Sequence, residues 1–405
     1  MNLTVIGLGY VGLPLAILAA KHGFNVTGFD IDPEKVLALS NGKSFSPDID
    51  AQEILRLIKT KNLSLTTKLE SKSAGGIFVI AVPTPLNNER LPDLSMLESA
   101  CHLIAKVICD GDLVITESTS YIGTLRKVIQ PIIEGETGLR RIDFAVAPER
   151  IDPGNKRWHL SNTPRNVAGI TQEAGERAAD FYAKFCEVVN LLSSPEEAEA
   201  AKLIENTFRQ VNIAFVNELA QIAEKLNFSL FNAIAAAAHK PFGFMPFYPS
   251  IGVGGHCIPI DSNYLTYSAQ QVGVELRLVS EANSINLSMP YKIVDKIAHQ
   301  LSFDFIGKKI QVVGIAYKSN SSDTRESPAI ELIQLLRQRG AEVSWHDPLV
   351  GKYKGEFSEP LKDDIDLGLI IVPHQEIDFS IWKRSNLLIL DLSASSENYG
   401  WAKFF

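Results

Sequence analysis

The sequence has 405 residues, of which 45% are hydrophobic and 21% are charged, a composition typical of soluble globular proteins with two or three domains. Its net charge of -8 argues against a broad surface for nucleic acid or for an anionic membrane, because both require clustered Lys and Arg. The four cysteines form no CxxC pair, and no apolar stretch reaches the roughly 20 residues of a membrane span. We therefore expect a reduced, cytoplasmic protein without a membrane segment.

The first half of the chain alternates between two patterns. Short β-branched runs alternate with helical periodicity up to about residue 194, which predicts a parallel sheet with helices on its faces. The candidate strands are residues 3–6, 25–29, 76–82, 112–116, 144–147, 167–169 and 188–192.

A long helix is predicted next. Ser194 is a capping residue, Pro195 suits the first turn, and Glu196 and Glu197 suit the positive end of the helix dipole. The helical pattern continues to about Asn227, which corresponds to roughly 33 residues and 50 Å. A helix of this length usually spans domains or forms a dimer interface.

The alternation of strands and helices resumes in the last quarter of the chain, with candidate strands at residues 309–316, 343–346, 367–372 and 387–392. The predicted fold class is therefore α/β, with two Rossmann-like doubly wound parallel-sheet lobes joined by a central helical domain that contains the long helix. The expected domains are residues 1–194, 195–300 and 301–405.

A glycine-rich turn follows the first predicted strand and leads into a helix. Gly7, Gly9 and Gly12 have the spacing of the dinucleotide fingerprint, which places a pyrophosphate on the amides of the helix N-terminus. Asp30 ends the next strand, where a carboxylate accepts the ribose hydroxyls and repels a 2′-phosphate. This pattern predicts NAD rather than NADP, and a glycine turn without a ligand is the alternative.

The last region differs at the corresponding turn. Residues 311–316 begin a similar unit that includes Gly314, but the second and third glycines of the fingerprint are missing, so we do not expect a dinucleotide bound in the same way. Lys318, Asp323 and Arg325 follow in a loop that opens a helix, which suits a phosphate group. A solvated charged loop is the alternative.

Polar residues follow three consecutive predicted strands, namely Thr84, Thr119 and Glu149. Because open α/β sheets bind ligands beyond the carboxyl ends of their strands, we expect these residues to face one crevice beside the nicotinamide. A glutamate at a strand end, such as Glu117 or Glu149, can also be a purely structural hydrogen-bond acceptor.

The long helix and a later glycine-rich segment supply further candidates. Lys202, Asn206 and Arg209 share one helix face, for which a solvated surface is the alternative. Glycines before Cys257 let backbone amides approach a ligand, and Asp261 four residues later is a candidate base or orienting acid. No metal is expected, because no second Cys/His pair is present. A buried, inert cysteine is the alternative.

Over its whole length the chain resembles the UDP-glucose/GDP-mannose dehydrogenase family. The motifs that carry the resemblance are the glycine turn with Asp30, the Glu149 strand end, Lys202 with Asn206, residues 254–257, and Lys318 with residues 323–325. The resemblance implies that the C6 hydroxyl of a UDP-sugar is oxidised twice to a carboxylate, with two NAD consumed and Cys257 as covalent nucleophile. We also expect a homodimer or higher homo-oligomer that forms through the long helix.

The resemblance implies a role for each candidate residue. The expected catalytic residues are Cys257, Lys202, Asn206, Asp261, Glu149 and Thr119. The cofactor is expected to contact Gly7, Gly9, Tyr10, Val11, Gly12, Asp30, Lys35, Thr84, Thr119 and Arg325. The substrate is expected to contact Glu149, Arg150, Lys202, Asn206, Arg209, Phe247, Tyr248, Ser250, Gly254 and Lys318.

Residues 240–245 and the pair Ile260-Asp261 resemble the branch of the family that acts on UDP-N-acetylamino sugars, since members acting on UDP-glucose often carry Lys where Ile260 stands. We therefore favour UDP-N-acetylglucosamine as the substrate, with UDP-N-acetylmannosamine or UDP-glucose as alternatives. A two-electron hydroxyacid dehydrogenase shares the fingerprint but needs no cysteine. A non-catalytic regulator that binds NAD or a nucleotide sugar is the alternative of a different class.

Overall fold

The computed structural model describes residues 1–44, 49–70, 74–151, 155, 157–223, 225–393 and 403–404. The chain forms two compact units. The first unit comprises Met1–Glu205 with Asn263–Val274, and the second comprises Asn206–Ser262 with Glu275–Phe405. Each unit contains a predominantly parallel sheet with helices, so the predicted α/β class is confirmed. The division into three domains at residues 194 and 300 stays a prediction.

The first unit contains an eight-stranded sheet. Its strands are β1 Asn2–Ile6, β2 Asn25–Phe29, β3 Leu63–Thr66, β4 Ile77–Ile80, β5 Leu113–Thr116, β6 Asp143–Val146, β7 Arg165–Gly169 and β8 Val189–Leu191. The spatial order is β3-β2-β1-β4-β5-β6-β7-β8, and every neighbouring pair is parallel except β6 with β7. The first six strands therefore have the order 3-2-1-4-5-6 of dinucleotide-binding sheets, with the switch point between β1 and β4.

Helices cover this sheet. They are α1 Gly12–Lys21, α2 Pro33–Ser40, α3 Ala51–Lys59, α4 Ser95–Ala105, a π-helix Leu125–Ile129, α5 Gln130–Thr137 and α6 Gln172–Tyr182. α1 is apolar on nearly all sides, and it is accordingly buried on most of them. Its Leu13 and Ala16 lie in one apolar cluster with Leu3 and Val5 of β1. This packing fixes the glycine turn between β1 and α1.

The predicted long helix is α7, Pro195–Ala223. Its first turn is stabilised as expected, since Ser194 Oγ accepts a hydrogen bond from Glu197 N at 3.3 Å. The helix ends before the predicted Asn227, because Asn227 has φ 54°, a left-handed conformation that an α-helix excludes. The helices α8 Leu230–Ala238, α9 Ile258–Gln270 and α10 Arg277–Gln300 follow.

The second unit contains a five-stranded parallel sheet. Its strands are β9 Lys309–Val313, β10 Glu342–His346, β13 Leu367–Ile370, β14 Ile389–Asp391 and β15 Lys403–Phe404, in the order β10-β9-β13-β14-β15. The hairpin β11 Lys352–Tyr353 and β12 Glu356–Phe357 and the helices α11 Pro328–Gln338 and α12 Ser380–Lys383 complete it. The strand order is 2-1-3-4-5, the other common doubly wound arrangement, and its switch point lies between β9 and β13.

Candidate active site

The glycine turn of the first unit combines two tightly packed glycines with an open one. Gly7 has φ 95°, and a Cβ there would lie 2.5 Å from Ala81 O. A Cβ at Gly12 would lie 1.9 Å from Gly7 O, whereas one at Gly9 would have no heavy atom within 4 Å. Gly7 and Gly12 are therefore required by packing, and Gly9 leaves room for a ligand at the N-terminus of α1.

Asp30 lies directly after β2 beside this turn and is 5% exposed. Its carboxylate accepts hydrogen bonds from Leu8 N at 2.9 Å and Asp32 N at 3.1 Å. Lys35 Nζ lies 2.9 Å from Asp30 Oδ2, so a half-exposed cation accompanies the carboxylate. The fold thus places Asp30 beside the glycine turn and holds Lys35 against its carboxylate.

The strand ends of β4 and β5 are joined by side chains. Thr84 Oγ1 donates a hydrogen bond to Thr119 O at 2.6 Å, and Ser118 Oγ donates one to Val82 O at 2.7 Å. Tyr264 of α9 is fully buried, and its hydroxyl donates to Thr84 O at 3.1 Å. The two predicted threonines therefore lie together in the first unit. Sequence reasoning missed the contact of Tyr264 with Thr84, since an aromatic residue in a helix is normally assigned to the hydrophobic core.

Glu117 is a structural hydrogen-bond acceptor, which is the alternative stated above for a glutamate at a strand end. Its carboxylate forms a buried ion pair with Arg165 and accepts a hydrogen bond from the Tyr182 hydroxyl at 2.5 Å. The guanidinium of Arg165 also lies over the Tyr182 ring, 4.7 Å from its centroid. Burial by itself would lower the pKa of Arg165, but the neighbouring Glu117 charge raises it above its usual value, so the Arg165 guanidinium stays charged.

The next strand end carries Glu149 and Arg150. Glu149 is 7% exposed, and its N–H donates to Glu117 O at 3.2 Å. Arg150 forms a two-pronged contact with Glu205 of α7, with Nη2–Oε1 at 2.6 Å and Nε–Oε2 at 3.2 Å. Its Nη1 donates to Pro164 O at 2.7 Å. These three bonds hold the Arg150 side chain against the long helix.

The polar row on α7 divides into a buried and an exposed part. Lys202 and Asn206, one turn apart, are each 7% exposed, whereas Arg209 is exposed. In the second unit, Asn206 Nδ2 donates a hydrogen bond to Asp261 Oδ2 at 2.5 Å. The structure therefore brings Asn206 and Asp261 together and leaves Arg209 at the surface.

Cys257 lies at the start of α9 and is half-buried. Its carbonyl accepts hydrogen bonds from Ile260 N at 3.1 Å and Asp261 N at 2.8 Å, which makes Cys257 the residue that opens the helix. A thiolate at this position is stabilised by the positive end of the helix dipole. Asp261 is 2% exposed and lies one turn later, so Cys257, Asp261 and Asn206 form one cluster in the second unit.

The glycines before Cys257 are required by packing. A Cβ at Gly254 would lie 2.9 Å from Glu326 O and from Tyr317 Cβ. A Cβ at Gly255, which has φ 85°, would lie 2.8 Å from the Tyr317 ring. The expected close approach of backbone to ligand therefore has a second explanation, because the segment lies against Tyr317 of the same unit.

His256 links this segment to the charged loop after β9. Arg325 binds Asp323 through two nitrogens, and Arg325 Nη2 lies 2.9 Å from His256 Nδ1. Burial raises the pKa of the Asp323 carboxyl, but hydrogen bonds from Arg325 outweigh it and hold the pKa below its usual value. Arg325, expected to contact the cofactor, is thus held by Asp323 next to the residue that precedes Cys257.

A cavity of about 500 Å³ lies in the second unit at the carboxyl ends of β9, β13 and β14. Ser250, Lys318, Pro373 and Ser393 are among its lining residues, and the first turn of α11 opens into it at Pro328. The size is typical of ligand sites, and a lysine with a helix N-terminus suits phosphate. The cavity thus lies at the switch point of the second sheet.

Phe247 and Tyr248 lie in an apolar cluster rather than among the residues that line this cavity. The Phe247 ring packs on Phe208 at 5.8 Å, and the Tyr248 ring stacks on Phe231 at 5.2 Å. Ser250, two residues after Tyr248, lines the cavity, and its N–H donates to Asn217 Oδ1 at 2.8 Å.

Asn217 is one member of a row of buried amides between α7 and α10 that sequence reasoning missed. The members are joined by hydrogen bonds of 2.8–3.0 Å in the order Ser250, Asn217, Asn286, Gln210, Asn283 and Ser262. Ser262 adjoins Asp261 on α9, so the row connects the cavity-lining Ser250 with the helix that Cys257 opens. We name it the amide row.

Glu199 of α7 was also missed. In the first unit its carboxylate accepts hydrogen bonds from Gly123 N at 2.5 Å and Leu125 N at 3.1 Å, and it is 3% exposed. Burial raises the pKa of Glu199 to about 7. Acidic residues in the first turns of a helix are common, so the sequence holds no signal for this role.

Within the described residues, no group of three or more His, Cys, Asp and Glu side chains could hold a metal ion. Among the helices of the same residues, none is sufficiently long and apolar to span a membrane.

Three consecutive family models match the chain. Residues 1–186 match the NAD binding domain of the UDP-glucose/GDP-mannose dehydrogenase family, residues 196–288 its central domain, and residues 311–391 its UDP binding domain. The chain belongs to this family. The sequence-based prediction of the family and of NAD as cofactor is therefore confirmed.

Two relatives illustrate the range within the UDP-glucose/GDP-mannose dehydrogenase family. The chain is 36% identical over 398 residues to UDP-N-acetyl-D-mannosamine dehydrogenase of Pyrococcus horikoshii, covering 95% of this chain and 92% of that protein. It is 35% identical over 357 residues to UDP-N-acetyl-D-glucosamine 6-dehydrogenase of Pseudomonas aeruginosa, covering 86% and 83%. The solved structure of the Pyrococcus horikoshii UDP-D-ManNAc dehydrogenase matches with a TM-score of 0.88 at 32% identity, covering 98% of this chain and 97% of that one.

Because it belongs to this family, the chain is an NAD-dependent dehydrogenase. The switch point of each sheet lies in a domain with its own ligand. The glycine turn and Asp30 lie within the NAD binding domain. The cavity residues Lys318 and Pro373 lie within the UDP binding domain.

Proposed function

We propose that this enzyme oxidises the C6 hydroxyl of UDP-N-acetylglucosamine to the uronate, in two steps that consume two NAD. The observation that carries the proposal is the cluster of Cys257, Asp261 and Asn206, because a nucleophile at a helix N-terminus beside a buried acid is what a covalent second oxidation needs. Relatives named for UDP-N-acetylamino sugars support the substrate class.

The first unit supports NAD at its glycine turn. The open face of Gly9 accommodates the pyrophosphate, Asp30 accepts the ribose hydroxyls, and Thr84 and Thr119 position the nicotinamide. Tyr10, Val11, Lys35 and Arg325 are the further residues that we assign to the cofactor. When bound, NAD supplies the hydride acceptor for both oxidations.

Proton transfer and covalent capture are assigned to the cluster and to α7. Asp261 accepts the proton of the substrate hydroxyl as the alcohol becomes an aldehyde. The Cys257 thiolate then forms a bond to the aldehyde carbon, giving a thiohemiacetal. Lys202 and Asn206 stabilise its oxyanion, and losing one such donor typically costs about 3 kcal/mol.

The second oxidation converts the thiohemiacetal carbon to a thioester. Glu149 assists water in attacking that carbon, so the C–S bond breaks and releases the uronate with the Cys257 thiol. Covalent capture explains why an alcohol dehydrogenase needs a cysteine, since the aldehyde stays attached between the two steps.

We assign the UDP moiety to the cavity of the second unit. Lys318 and the N-terminus of α11 bind phosphate, and Ser250 and Gly254 lie on the loop that borders it. Phe247, Tyr248, Arg150 and Arg209 are proposed to contact the substrate as well. Of these, Arg150 is held in place by its ion pair with Glu205.

The assembly is proposed to be a homodimer through α7. This helix exposes a row of large apolar side chains, Ile204, Phe208, Phe215 and Ile222, which are 43–59% exposed. Such a row is typical of a protein interface. We further propose a cytoplasmic location, supported by four free thiols, and domains at 1–194 for NAD, 195–300 for dimerisation and Cys257, and 301–405 for UDP-sugar.

The test is the amount of NADH released per UDP-sugar, measured with UDP-N-acetylglucosamine, UDP-N-acetylmannosamine, UDP-N-acetylgalactosamine and UDP-glucose. Two NADH with UDP-N-acetylglucosamine support both the reaction and the substrate. Two NADH with another sugar alone would keep the chemistry and refute the substrate. NAD binding without turnover on any of them would favour the regulator.

A further inference from the structure

Each of the two sheets has a buried aspartate at a corresponding position next to its first turn. Asp347 follows β10 as Asp30 follows β2. Asp30 accepts a hydrogen bond from Leu8 N, directly after Gly7, and Asp347 accepts one from Ile315 N, directly after Gly314, each at 2.9 Å. The side chain that contacts the carboxylate differs between the two sheets. Lys35 contacts Asp30, whereas His374 Nε2 lies 3.1 Å from Asp347 Oδ2, with both side chains fully buried.

His374 also makes a contact that Lys35 has no means to make. Its Nδ1 accepts a hydrogen bond from Asn320 N at 2.9 Å. Because a backbone N–H can only donate, Nδ1 is the acceptor of this bond, and Nε2 is the ring nitrogen that faces Asp347. The imidazole therefore bridges Asp347 and the loop that follows β9.

The Asn320 side chain forms a second hydrogen bond to the segment that contains His374. Its Oδ1 accepts a hydrogen bond from Gln375 N at 3.2 Å, and its backbone has φ 58°, which an asparagine tolerates better than most residues. The loop after β9 and the segment after β13 are thus joined by two reciprocal bonds, from Asn320 to His374 and from Gln375 to Asn320. We name this pair of bonds the clasp.

The clasp lies at the rim of the cavity. Lys318 and Ser319, which immediately precede Asn320, line one side, and Pro373, which immediately precedes His374, lines another. We propose that His374 is a positioning residue for the UDP moiety, since it fixes the Lys318 loop in its binding conformation through Asn320. This inference rests on the assignment of UDP to this cavity.

The two ring nitrogens allow the clasp to be separated from the contact with Asp347. His374→Asn places an amide oxygen near the position of Nδ1 and keeps an acceptor for Asn320 N. His374→Gln places an amide nitrogen near Nε2 and keeps the donor toward Asp347. Only the first retains the clasp, although both replace the same buried ring.

UDP binding to the full-length enzyme is measured by calorimetry, together with KM for the UDP-sugar and for NAD. We expect His374→Gln to weaken UDP about tenfold, the effect of one hydrogen bond, and His374→Asn to stay within about threefold of the parent. The KM for NAD and kcat should change little in either variant.

The exposed Asn320 provides a second variant that does not disturb the core. Asn320→Gly keeps the left-handed backbone and removes the bond from Gln375, so UDP should bind several-fold more weakly. Equal UDP affinity in His374→Gln, His374→Asn and the parent would refute the clasp alone. A parent enzyme that does not bind UDP would refute both the clasp and the proposed function.

Discussion

The buried Glu199 makes the stability of this enzyme depend on pH in a calculable way. Burial raises the pKa of its carboxyl from 4.5 to about 7 in the folded chain. A shift of this size corresponds to roughly 3 kcal/mol between the protonated and ionised forms. Because the folded-state pKa is raised, this stability is fully present below pH 4.5 and is lost as the pH rises through 7.

Glu199→Gln removes the titration. The variant loses one acceptor for the N–H groups of Gly123 and Leu125, a cost of about 1–3 kcal/mol that does not depend on pH. The difference in unfolding free energy between parent and variant should therefore change by about 3 kcal/mol between pH 4.5 and 8, in the direction that favours the parent at low pH. Urea denaturation at several pH values measures it.

Glu196 provides the matched control. It lies on the same helix and contacts Arg126 at the surface, with Nε–Oε1 at 2.7 Å. Glu196→Gln should change the free energy of unfolding by only a few tenths of a kcal/mol, as expected for an exposed ion pair. A parent-minus-variant difference for Glu199→Gln that stays constant from pH 4.5 to 8 would refute the reasoning from burial.

Three other substitutions test the site. Cys257→Ser should abolish formation of the acid while leaving NAD affinity unchanged in a binding titration; full turnover would contradict covalent capture. Asp30→Ala should weaken NAD and relax discrimination against NADP, because Lys35 stays as a cation near the ribose; an unchanged ratio of the two KM values would place the ribose contact elsewhere. Asn217→Ala should lower the unfolding free energy by about 1–3 kcal/mol, since it leaves buried partners in the amide row unpaired, whereas Asn212→Ala, which removes only an exposed hydrogen bond to Phe208 O, should change it little; equal effects would remove the amide row as a stabilising element.

Local pattern predicted those parts of the fold that depend on local interactions. The strand at residues 25–29 and the start of α7 at Pro195 agree with the sequence because β-branched runs and helix caps act within a few residues. β3, Leu63–Thr66, was not predicted. It lies at the sheet edge, only Leu63 of its four residues is buried, and so its apolar signal is weak.

The site shows the same division between local and long-range information. Cys257 and Asp261 are four residues apart, so their shared helix turn follows from spacing. The bond between Asn206 and Asp261 joins residues 55 positions apart and depends on how α7 packs on α9. His374 gave no signal at all, because a lone histidine after a strand has no spacing that reveals Asn320 and Asp347 as its partners.

Burial distinguishes Cys257 from two of the other thiols in the chain. Burial raises the pKa of Cys101 to about 12 and that of Cys186 to about 11, so both stay protonated and inert at neutral pH. These two cysteines are buried and inert, which is the alternative that the sequence left open for Cys257. Cys257 is half-buried and opens a helix whose dipole favours an anion. Asp261, the proposed proton acceptor, lies one turn further along the same helix. The environment rather than the residue type therefore supports the assignment of Cys257 as the nucleophile.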